Sequence, residues 1–441
     1  MRVSTTMVYD TGVRTINQQT ARMLHNQQQV STGRRIVAPS DDPVAAARAL
    51  EITQASDVVV QFSRNRDNAQ SALAIQETQL IGVTDMLARI RELTVQGGNG
   101  TLTEANRRLM TYELRARFEE LLGYANARDG QGKYLFSGYM GDTRPYAGSV
   151  ETGVEYYGDD GQRLLQVSPA RVIEVSDSGR DIFERIRNGN GHFVTGVNVA
   201  NQGTGVIDGG AVLDPSMWAA GQNPSLEIRF WVDSNHQLTP PGQTYYDIVD
   251  INTGNSVFTN SPPDDDPTSP GFTFTRQYAS GQGIALFGTD PNGGGAPLDL
   301  GANVIITGEP ASGDTFTIQP STTQNIFDTL RQLILDLEQP ALDAASQALL
   351  ANRVGFALTN FDQAEQNILR IRAQIGARMN EVESLHGVNE DLNIQYQQAI
   401  SQLQDLDYAK AISDLSRKQV DLEASQKSYA QITRLSLFNY L

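Results

Sequence analysis

Residues 388–441 read VNEDLNIQYQQAISQLQDLDYAKAISDLSRKQVDLEASQKSYAQITRLSLFNYL, and this stretch decides how the rest of the chain can fold. It contains neither Gly nor Pro, and its apolar residues recur at helical spacing. The periodic positions are Leu392, Tyr396, Ala399, Leu403, Leu406, Tyr408, Ile412, Leu415, Leu422 and Tyr429. The spacing predicts one long amphipathic helix that runs to the carboxyl end.

The apolar stripe of this helix is thin, because its inward positions alternate hydrophobes with Gln419, Gln426 and Thr433. A stripe of that kind cannot stabilise a lone helix in water. We therefore expect a partner helix and treat the stripe as a candidate assembly surface. Its candidate residues are Ile412, Leu415, Leu422 and Tyr429.

The last seven residues form a tail that is rich in bare hydrophobes, where a self-sufficient domain usually has a polar end. Another surface must cover them, so the tail is a candidate binding segment. Its candidate residues are Leu435, Leu437, Phe438, Tyr440 and Leu441.

Residues 1 to about 36 predict a second amphipathic helix, at the opposite end of the chain. Its stripe has the same diluted character, with candidate assembly residues Ile16, Met23 and Val30 separated by Thr20 and Gln27. Two weak stripes can cover each other, or the stripes of neighbouring subunits, better than either can stand alone. The alternative is two ordinary surface helices on a globular core.

The loop from Gly33 to Pro43 starts a long helix. Asp42 can accept backbone N–H bonds as an N-cap, and Pro43 suits the first helical position. Apolar residues then recur at near-helical steps to Gln96, which predicts a helix of roughly 80 Å.

Further helices flank a region of different amino-acid composition. Glycines after Gln96 end the long helix, and Thr101 with Glu104 matches a capping box that starts another helix, to about Ala127. Helical spacing returns at about Gln324 and continues to the chain end.

Between residues 141 and 320 lie 26 of the 39 Gly and 14 of the 17 Pro residues. Turn signals such as Asp208-Gly209, Pro240-Pro241-Gly242 and Asn292-Gly293 separate short aromatic and β-branched runs. The region is typical of an all-β fold of many short strands. The predicted strands are Arg163–Val167, Arg171–Val175, Leu226–Val232, Tyr245–Ile251, Phe272–Phe274, Asn303–Thr307 and Thr315–Ile318.

The order of elements predicts an α plus β multidomain protein, in which both chain termini form a long helical coiled coil or bundle around an inserted, mostly β domain. We place terminal coiled-coil helices at 1–40 and 388–441. A helical rod domain with a β-hairpin region takes 41–187 and 321–387, and the β-rich insert takes 188–320.

Composition excludes several functions. The net charge of −17 and the pI near 4.7 argue against nucleic acid or an anionic membrane as partners. The chain has no Cys, which excludes disulfides and thiol catalysis. No segment has the length and apolarity of a secretory signal or a membrane span.

Motifs for enzyme chemistry are missing, including nucleotide-binding glycine loops, the nucleophile elbow and HExxH. The pattern Asp290-x-Asn292-x-Gly294 imitates a calcium loop, but Gly301 stands where the closing Glu is needed. Asp264 to Asp266 fits a solvated loop better than a cation site. We predict a protein that is no enzyme, with no catalytic, cofactor-binding or metal-binding residues.

Short motifs at both ends of the chain occur in a specific order and spacing, although no single one is decisive. They are Met1-Arg2-Val3-Ser4-Thr5, Ser31-Thr32-Gly33-Arg34-Arg35-Ile36, Pro39-Ser40-Asp41-Asp42-Pro43 leading into Val44-Ala45-Ala46-Ala47, Ala125-Asn126-Ala127-Arg128-Asp129-Gly130, Gly132-Lys133-Tyr134-Leu135-Phe136-Ser137-Gly138, Gly313-Asp314-Thr315-Phe316 with Pro320-Ser321, and Leu435-Ser436-Leu437-Phe438-Asn439-Tyr440-Leu441. On these motifs the whole chain resembles the family of bacterial flagellar hook-associated proteins, namely the third class at the hook–filament junction, and more distantly the flagellins.

The resemblance implies a structural adaptor that joins hook to filament, with terminal helices that are disordered in the monomer and form an inner coiled-coil tube on assembly. It implies partners of four kinds: further copies in a homo-oligomeric layer, a hook-side hook-associated protein, flagellin or a filament-side layer, and a cytoplasmic export chaperone that holds the tail. The protein would leave the cytoplasm through the flagellar type III channel and be located in the flagellum.

Two alternatives stay open. A flagellin-type filament subunit would share the terminal helices. A binding or hydrolytic activity of the β insert is suggested by its aromatic residues Trp218, Trp231 and Tyr245 among acidic loops.

Overall fold

A computed structural model describes residues 5–235, 237–238, 242–289 and 297–434. The described residues divide into two compact units. The first takes its residues from Met1–Asn68, Gln166–Val172 and Glu381–Leu441, and the second from Ala69–Leu165 and Ile173–Asn380.

Eight helices and fifteen strands form in these described ranges, with helices towards both chain ends and strands between them. The helices are α1 (Thr5–Thr32), α2 (Pro43–Gly97), α3 (Glu104–Ala125), α4 (Gly179–Phe183), α5 (Pro215–Ala220), α6 (Ile326–Glu338), α7 (Ala344–Gln404) and α8 (Tyr408–Arg434). The predicted α plus β class is confirmed, while the predicted domain boundaries stay predictions.

The strands are short in most cases. They are β1 (Tyr146–Ser149), β2 (Gly153–Tyr156), β3 (Leu164–Ser168), β4 (Arg171–Glu174), β5 (Ile186–Arg187), β6 (Phe193–Val197), β7 (Val206–Ile207), β8 (Ala211–Val212), β9 (Leu226–Val232), β10 (Thr244–Asp250), β11 (Arg276–Gln277), β12 (Gly283–Thr289), β13 (Pro297–Thr307), β14 (Thr315–Pro320) and β15 (Thr323–Gln324).

The start of α2 confirms the predicted cap. The N–H of Ala45 donates to Asp42 Oδ1 at 3.0 Å, and Pro43 is the first helical residue. The predicted capping box of α3 is wrong, because Thr103 caps this helix by accepting from the N–H of Asn106 at 3.3 Å. Thr101 instead bonds within the preceding turn.

The predicted single helix over residues 388–441 is also wrong. Its first part is the end of α7, which stops at Gln404, and α8 starts anew at Tyr408. The break has a local cause and a distant one. Asp407 Oδ1 accepts the N–H of Lys410 at 3.1 Å and so caps α8. Asp405 forms an isolated β-bridge with Arg34.

In the first unit, Gln166–Val172 is anchored on both long helices. Arg66 of α2 is buried and donates from Nη1 to the carbonyl of Val167 at 2.9 Å. Arg171 forms an ion pair with Glu381 of α7. The segment belongs to the β3–β4 pair, which lies where the sequence predicts two strands.

One core of the second unit is helical and aromatic. Phe327 of α6 is fully buried, and its ring centroid lies 5.9 Å from that of Phe118 in α3. The rings of Tyr146 and Phe183 lie 5.1 and 5.9 Å from Phe327. Aliphatic residues of α2 and α7 complete this core.

The other core of the second unit lies between strands. Antiparallel strands pair in the order β11-β10-β9-β14-β6, and a second sheet has the order β12-β13-β7, with β8 also on β13. The predicted strand Leu226–Val232 coincides with β9, and three others overlap β10, β13 and β14.

The predicted strand Phe272–Phe274 is wrong. The N–H of Thr273 donates to the carbonyl of Asp264 at 3.1 Å, so this stretch is held within its own loop. The ring of Phe272 lies 5.3 Å from that of Trp231. The calcium-like pattern from Asp290 lies outside the described residues.

We predict that Phe327→Ala costs about 3–5 kcal/mol of unfolding free energy, because it opens a cavity among packed rings. Urea denaturation should show a lower midpoint. Leu109→Ala on α3 is the matched control, since Leu109 is 66% exposed and should change stability by less than about 0.5 kcal/mol. Equal midpoints for the two variants would contradict the assignment of this core.

Candidate functional site: the terminal helix pair

Helices α1 and α8 lie antiparallel against each other within the first unit. A Cβ atom on Gly12 would lie 2.5 Å from Cδ2 of Tyr429, and one on Gly33 would lie 2.7 Å from the hydroxyl of Tyr408. The rings of Tyr9 and Tyr429 meet edge to face, with centroids 6.3 Å apart. The first helix of the chain therefore pairs with the last described one.

Backbone hydrogen bonds close one end of the pair. The N–H of Arg35 donates to the carbonyl of Gln404 at 2.7 Å, and that of Leu406 donates to the carbonyl of Gly33 at 3.0 Å. Gly33 follows α1 directly and has φ of +69°, a left-handed conformation that ends helices and favours glycine. We call this junction of residues 33–42 with 404–407 the elbow.

Two carboxylates shape the elbow. Asp41 accepts the N–H groups of Val37 and Ala38 at 3.0 and 2.9 Å, and the bond from Ala38 lowers the pKa of Asp41. The N–H of Ala45 likewise lowers the pKa of Asp42, which also forms an ion pair with Arg35 at 3.2 Å. The lowered pKa values mean that both carboxylates are ionised at neutral pH and accept these bonds fully.

Most of the predicted stripe residues face the seam between the helices. Leu422 is buried, and Ile16, Met23, Val30, Leu415 and Tyr429 are half-buried. Ile412 is 52% exposed and lies outside the seam. A role of these residues in assembly stays a prediction.

Some polar members of the seam differ from those predicted, whereas the predicted Thr20 and Thr433 are half-buried. Gln27, Gln419 and Gln426 are exposed, and the inward positions next to them belong to Asn26, Lys418 and Ser425. On each helix, the predicted inward positions and the positions one residue away both include apolar residues. Spacing alone therefore left the rotation of the helix uncertain by one residue. The seven-residue recurrence of Gly12, Gln19, Asn26 and Gly33 is the signal that could have found the inner column.

One polar contact crosses the seam. Lys418 Nζ donates to Oδ1 of Asn26 at 2.8 Å, and the Asn26 side chain is buried. Sequence reasoning missed this pair because its members lie 392 residues apart.

The pair leaves apolar surface uncovered. An apolar groove of about 490 Å³ lies between the far ends of the two helices, and Met7, Gly12, Ile16, Tyr429 and Ile432 line it. Val13, Leu24, Ile412 and Val420 expose between 44% and 65% of their surface. The candidate tail residues Leu435, Leu437, Phe438, Tyr440 and Leu441 lie outside the described residues.

Among the described residues, no three His, Cys, Asp or Glu side chains are grouped to hold a metal ion. Of the three aromatic residues suggested for a binding activity, Trp218 and Tyr245 are buried, and Trp231 is partly exposed. None of the helices in the described ranges has the length and apolarity needed to cross a membrane.

Two family models match the chain at its ends. Residues 3–140 match the bacterial flagellin N-terminal helical region, and residues 358–441 match the bacterial flagellin C-terminal helical region. Together they cover half of the chain, including every described residue of the α1–α8 pair.

Several similar proteins are named as flagellar hook-associated or flagellar junction proteins. The chain is 24% identical over 439 residues to flagellar hook-associated protein 3 of Escherichia coli (strain K12), covering 99% of both proteins. It is 33% identical over 186 residues to flagellar hook-associated protein 3 of Salmonella typhimurium (strain LT2), covering 42% of this chain and 58% of that protein. The crystal structure of the flagellar junction protein FlgL from Legionella pneumophila matches with a TM-score of 0.67 and 28% identity, covering 81% of this chain and 100% of that one.

Proposed function

Because the chain belongs to the flagellin family, we propose that it is a structural subunit of the bacterial flagellum that joins the hook to the filament. The resemblance predicted from sequence is confirmed. The observation that carries the proposal is the match to a hook-associated protein 3 along 99% of both chains, supported by the likeness to a flagellar junction protein.

The proposed role is an adaptor and not an enzyme. The relatives named above are structural flagellar proteins, and an adaptor needs shape and stable contacts rather than a reactive group. We propose that the protein uses no cofactor and binds neither nucleic acid nor membrane, in keeping with its net charge of −17.

We propose that the terminal helices, in residues 1–40 and 388–441, order fully only on assembly. The seam supports this, because polar Gln19, Asn26, Lys418 and Ser425 interrupt its apolar residues. A thin seam gains little free energy against the entropy of ordering two long arms. In this scheme 41–187 and 321–387 form the rod domain, and 188–320 form the outer insert.

Neighbouring copies in a homo-oligomeric layer would supply the missing cover. Val13 and Leu24 on α1, and Ile412 and Val420 on α8, are exposed apolar residues that a neighbour's helices can bury. One side of the layer would contact a hook-side hook-associated protein, and the other would contact flagellin or a filament-side layer.

We propose that the tail is covered by a cytoplasmic chaperone before export through the flagellar channel. Five of its seven residues are large and apolar, which favours aggregation in a free subunit. The absence of Cys suits a protein that passes from a reducing to an oxidising compartment.

A flagellin-type filament subunit remains the second candidate. The family models that match both chain ends describe flagellins, so those matches fit either role. The two roles differ in polymerisation. A filament subunit must add to its own assembly without limit, whereas an adaptor forms one layer and then stops adding copies of itself.

We predict that purified protein under polymerising conditions forms no long filaments, as electron microscopy can show. A flagellin from the same cells is the positive control. Immunogold labelling of isolated flagella should mark one narrow band between hook and filament. Abundant long filaments from this chain alone, or label along the filament, would favour the flagellin alternative.

Limited proteolysis should trim the arms of the free subunit first. We expect cleavage within roughly the first and last 40 residues before any cut in the second unit, because a thin seam opens more often than a packed core. Mass spectrometry of the fragments identifies the sites. Equal resistance of the arms and the core would show that the arms need no neighbours.

Removal of Leu435–Leu441 tests the tail. We expect the shortened protein to lose its export chaperone in a pull-down and to be missing from the junction, because the deletion removes five apolar side chains. A control variant with Ser436→Ala and Asn439→Ala keeps those side chains and should bind normally. Normal chaperone binding and assembly of the shortened protein would refute the role of the tail.

A further inference from the structure

Each helix of the terminal pair carries two inner rows of residues that recur every seven positions. In α1 one row is apolar and the other, here the small row, consists of Gly and polar residues. In α8 the large row consists of Tyr and Leu residues, and the other row consists of Ala, Lys and Ser. In α1 the apolar row is Ile16, Met23 and Val30, and the small row is Gly12, Gln19, Asn26 and the following Gly33. In α8 the large row is Tyr408, Leu415, Leu422 and Tyr429, and the other row is Ala411, Lys418 and Ser425.

The glycine contacts give the alignment of these rows. Gly12 faces Tyr429 and Gly33 faces Tyr408. The two glycines are 21 residues apart in sequence, and so are the two tyrosines. The large row of α8 therefore lies on the small row of α1. By the same spacing, Ile16 lies in one layer with Ser425.

The apolar pattern alone does not fix this alignment. If α8 slipped by seven residues, Ser425 would face Met23 instead of Ile16, and the large row would still face the small row. A pair held only by this pattern would populate several registers.

The ring of Tyr429 distinguishes the registers. It lies so close to Gly12 that a Cβ there would meet its Cδ2 at 2.5 Å and its Cε2 at 2.8 Å. After the slip the ring would face Gln19, whose side chain fills the space that glycine leaves open. The ring would also lose its edge contact with Tyr9.

The polar pair adds a second penalty. In the observed register Lys418 donates to Asn26 across the seam at 2.8 Å. That bond joins residues three positions off a common layer, so at the same offset the slip would bring Asn26 to Ser425 and Lys418 to Gly33. The bond from the lysine would be lost, and only the shorter Ser425 hydroxyl would stand beside the Asn26 amide. Buried polar residues select a register in other coiled coils by the same means.

We propose that the Tyr429–Gly12 contact and the Lys418–Asn26 bond, with Tyr408–Gly33 at the elbow, select a single register for the terminal helix pair. These residues determine which layers of the two arms meet when the subunit assembles. The inference deepens the proposed function. It rests on that function only because the pairing is measured in flagella.

Disulfide cross-linking in flagella can test the register, because the chain has no Cys of its own. The in-register variant is Ile16→Cys with Ser425→Cys, and the slipped variant is Met23→Cys with Ser425→Cys. Seven helical residues span about 10.5 Å, too far for the second pair to bond without a slip. We expect at least about tenfold more intrachain cross-link from the first pair.

Two further substitutions, added to both cysteine variants, test which contacts select the register. Gln19→Gly gives Tyr429 a second open position one heptad away, and Lys418→Leu removes the polar bond. In this background we expect the slipped cross-link to rise several-fold. The matched control, Gln27→Gly with Lys418→Leu, has the same loss of helix propensity at an exposed position and should not show the rise.

Each outcome decides the inference. Equal cross-linking of the two pairs in the unmodified background would overturn it, as would cross-links that join two subunits. Equal behaviour of the Gln19→Gly and Gln27→Gly backgrounds would overturn the role of Tyr429. If the protein is missing from flagella, the proposed function fails, and the ratio of the two cross-links in the purified full-length subunit still decides the register.

Discussion

Two backbone hydrogen bonds at the elbow join parts of the chain that are more than 360 residues apart in sequence. They connect Arg35 to Gln404 and Leu406 to Gly33. Because both chain segments turn there, α1 and α8 leave the same point and lie along each other. The seam, the groove at its far end and the exposed apolar residues all depend on this junction, since neither helix has a stripe wide enough to fold alone.

The seam gains its specificity from the residues that weaken it. Asn26 and Lys418 lower the apolar area of the interface, yet their hydrogen bond forms in only one alignment. Gly12 lowers helix propensity and at the same time gives space to Tyr429. A stronger apolar seam would stabilise the free subunit and also the misaligned arms. Weak, selective pairing fits the proposal that the arms order fully only on assembly.

Some local signals in the sequence predicted the local structure, although the cap at Thr101 and the strand Phe272–Phe274 were wrong. Asp42 with Pro43 marks the start of α2, and the alternation of β9 marks a strand. The break before α8 escaped prediction because half of its cause is a hydrogen bond to Gly33, far away in sequence. The flanking Asp405 and Asp407 were visible, but Asp is also common on exposed helix faces. Ile412 was assigned to the seam because spacing gives the period of a helix and not its rotation.

The equal spacing of the two Tyr–Gly contacts also couples the lengths of the two chain ends. Between Gly12 and Gly33, and between Tyr408 and Tyr429, the chain has the same number of residues. An insertion of one heptad in α1 would pull one tyrosine off its glycine unless α8 gained a heptad too. A heptad can therefore be added or removed between Gly12 and Gly33 only together with a matching change between Tyr408 and Tyr429, if both contacts are to be kept.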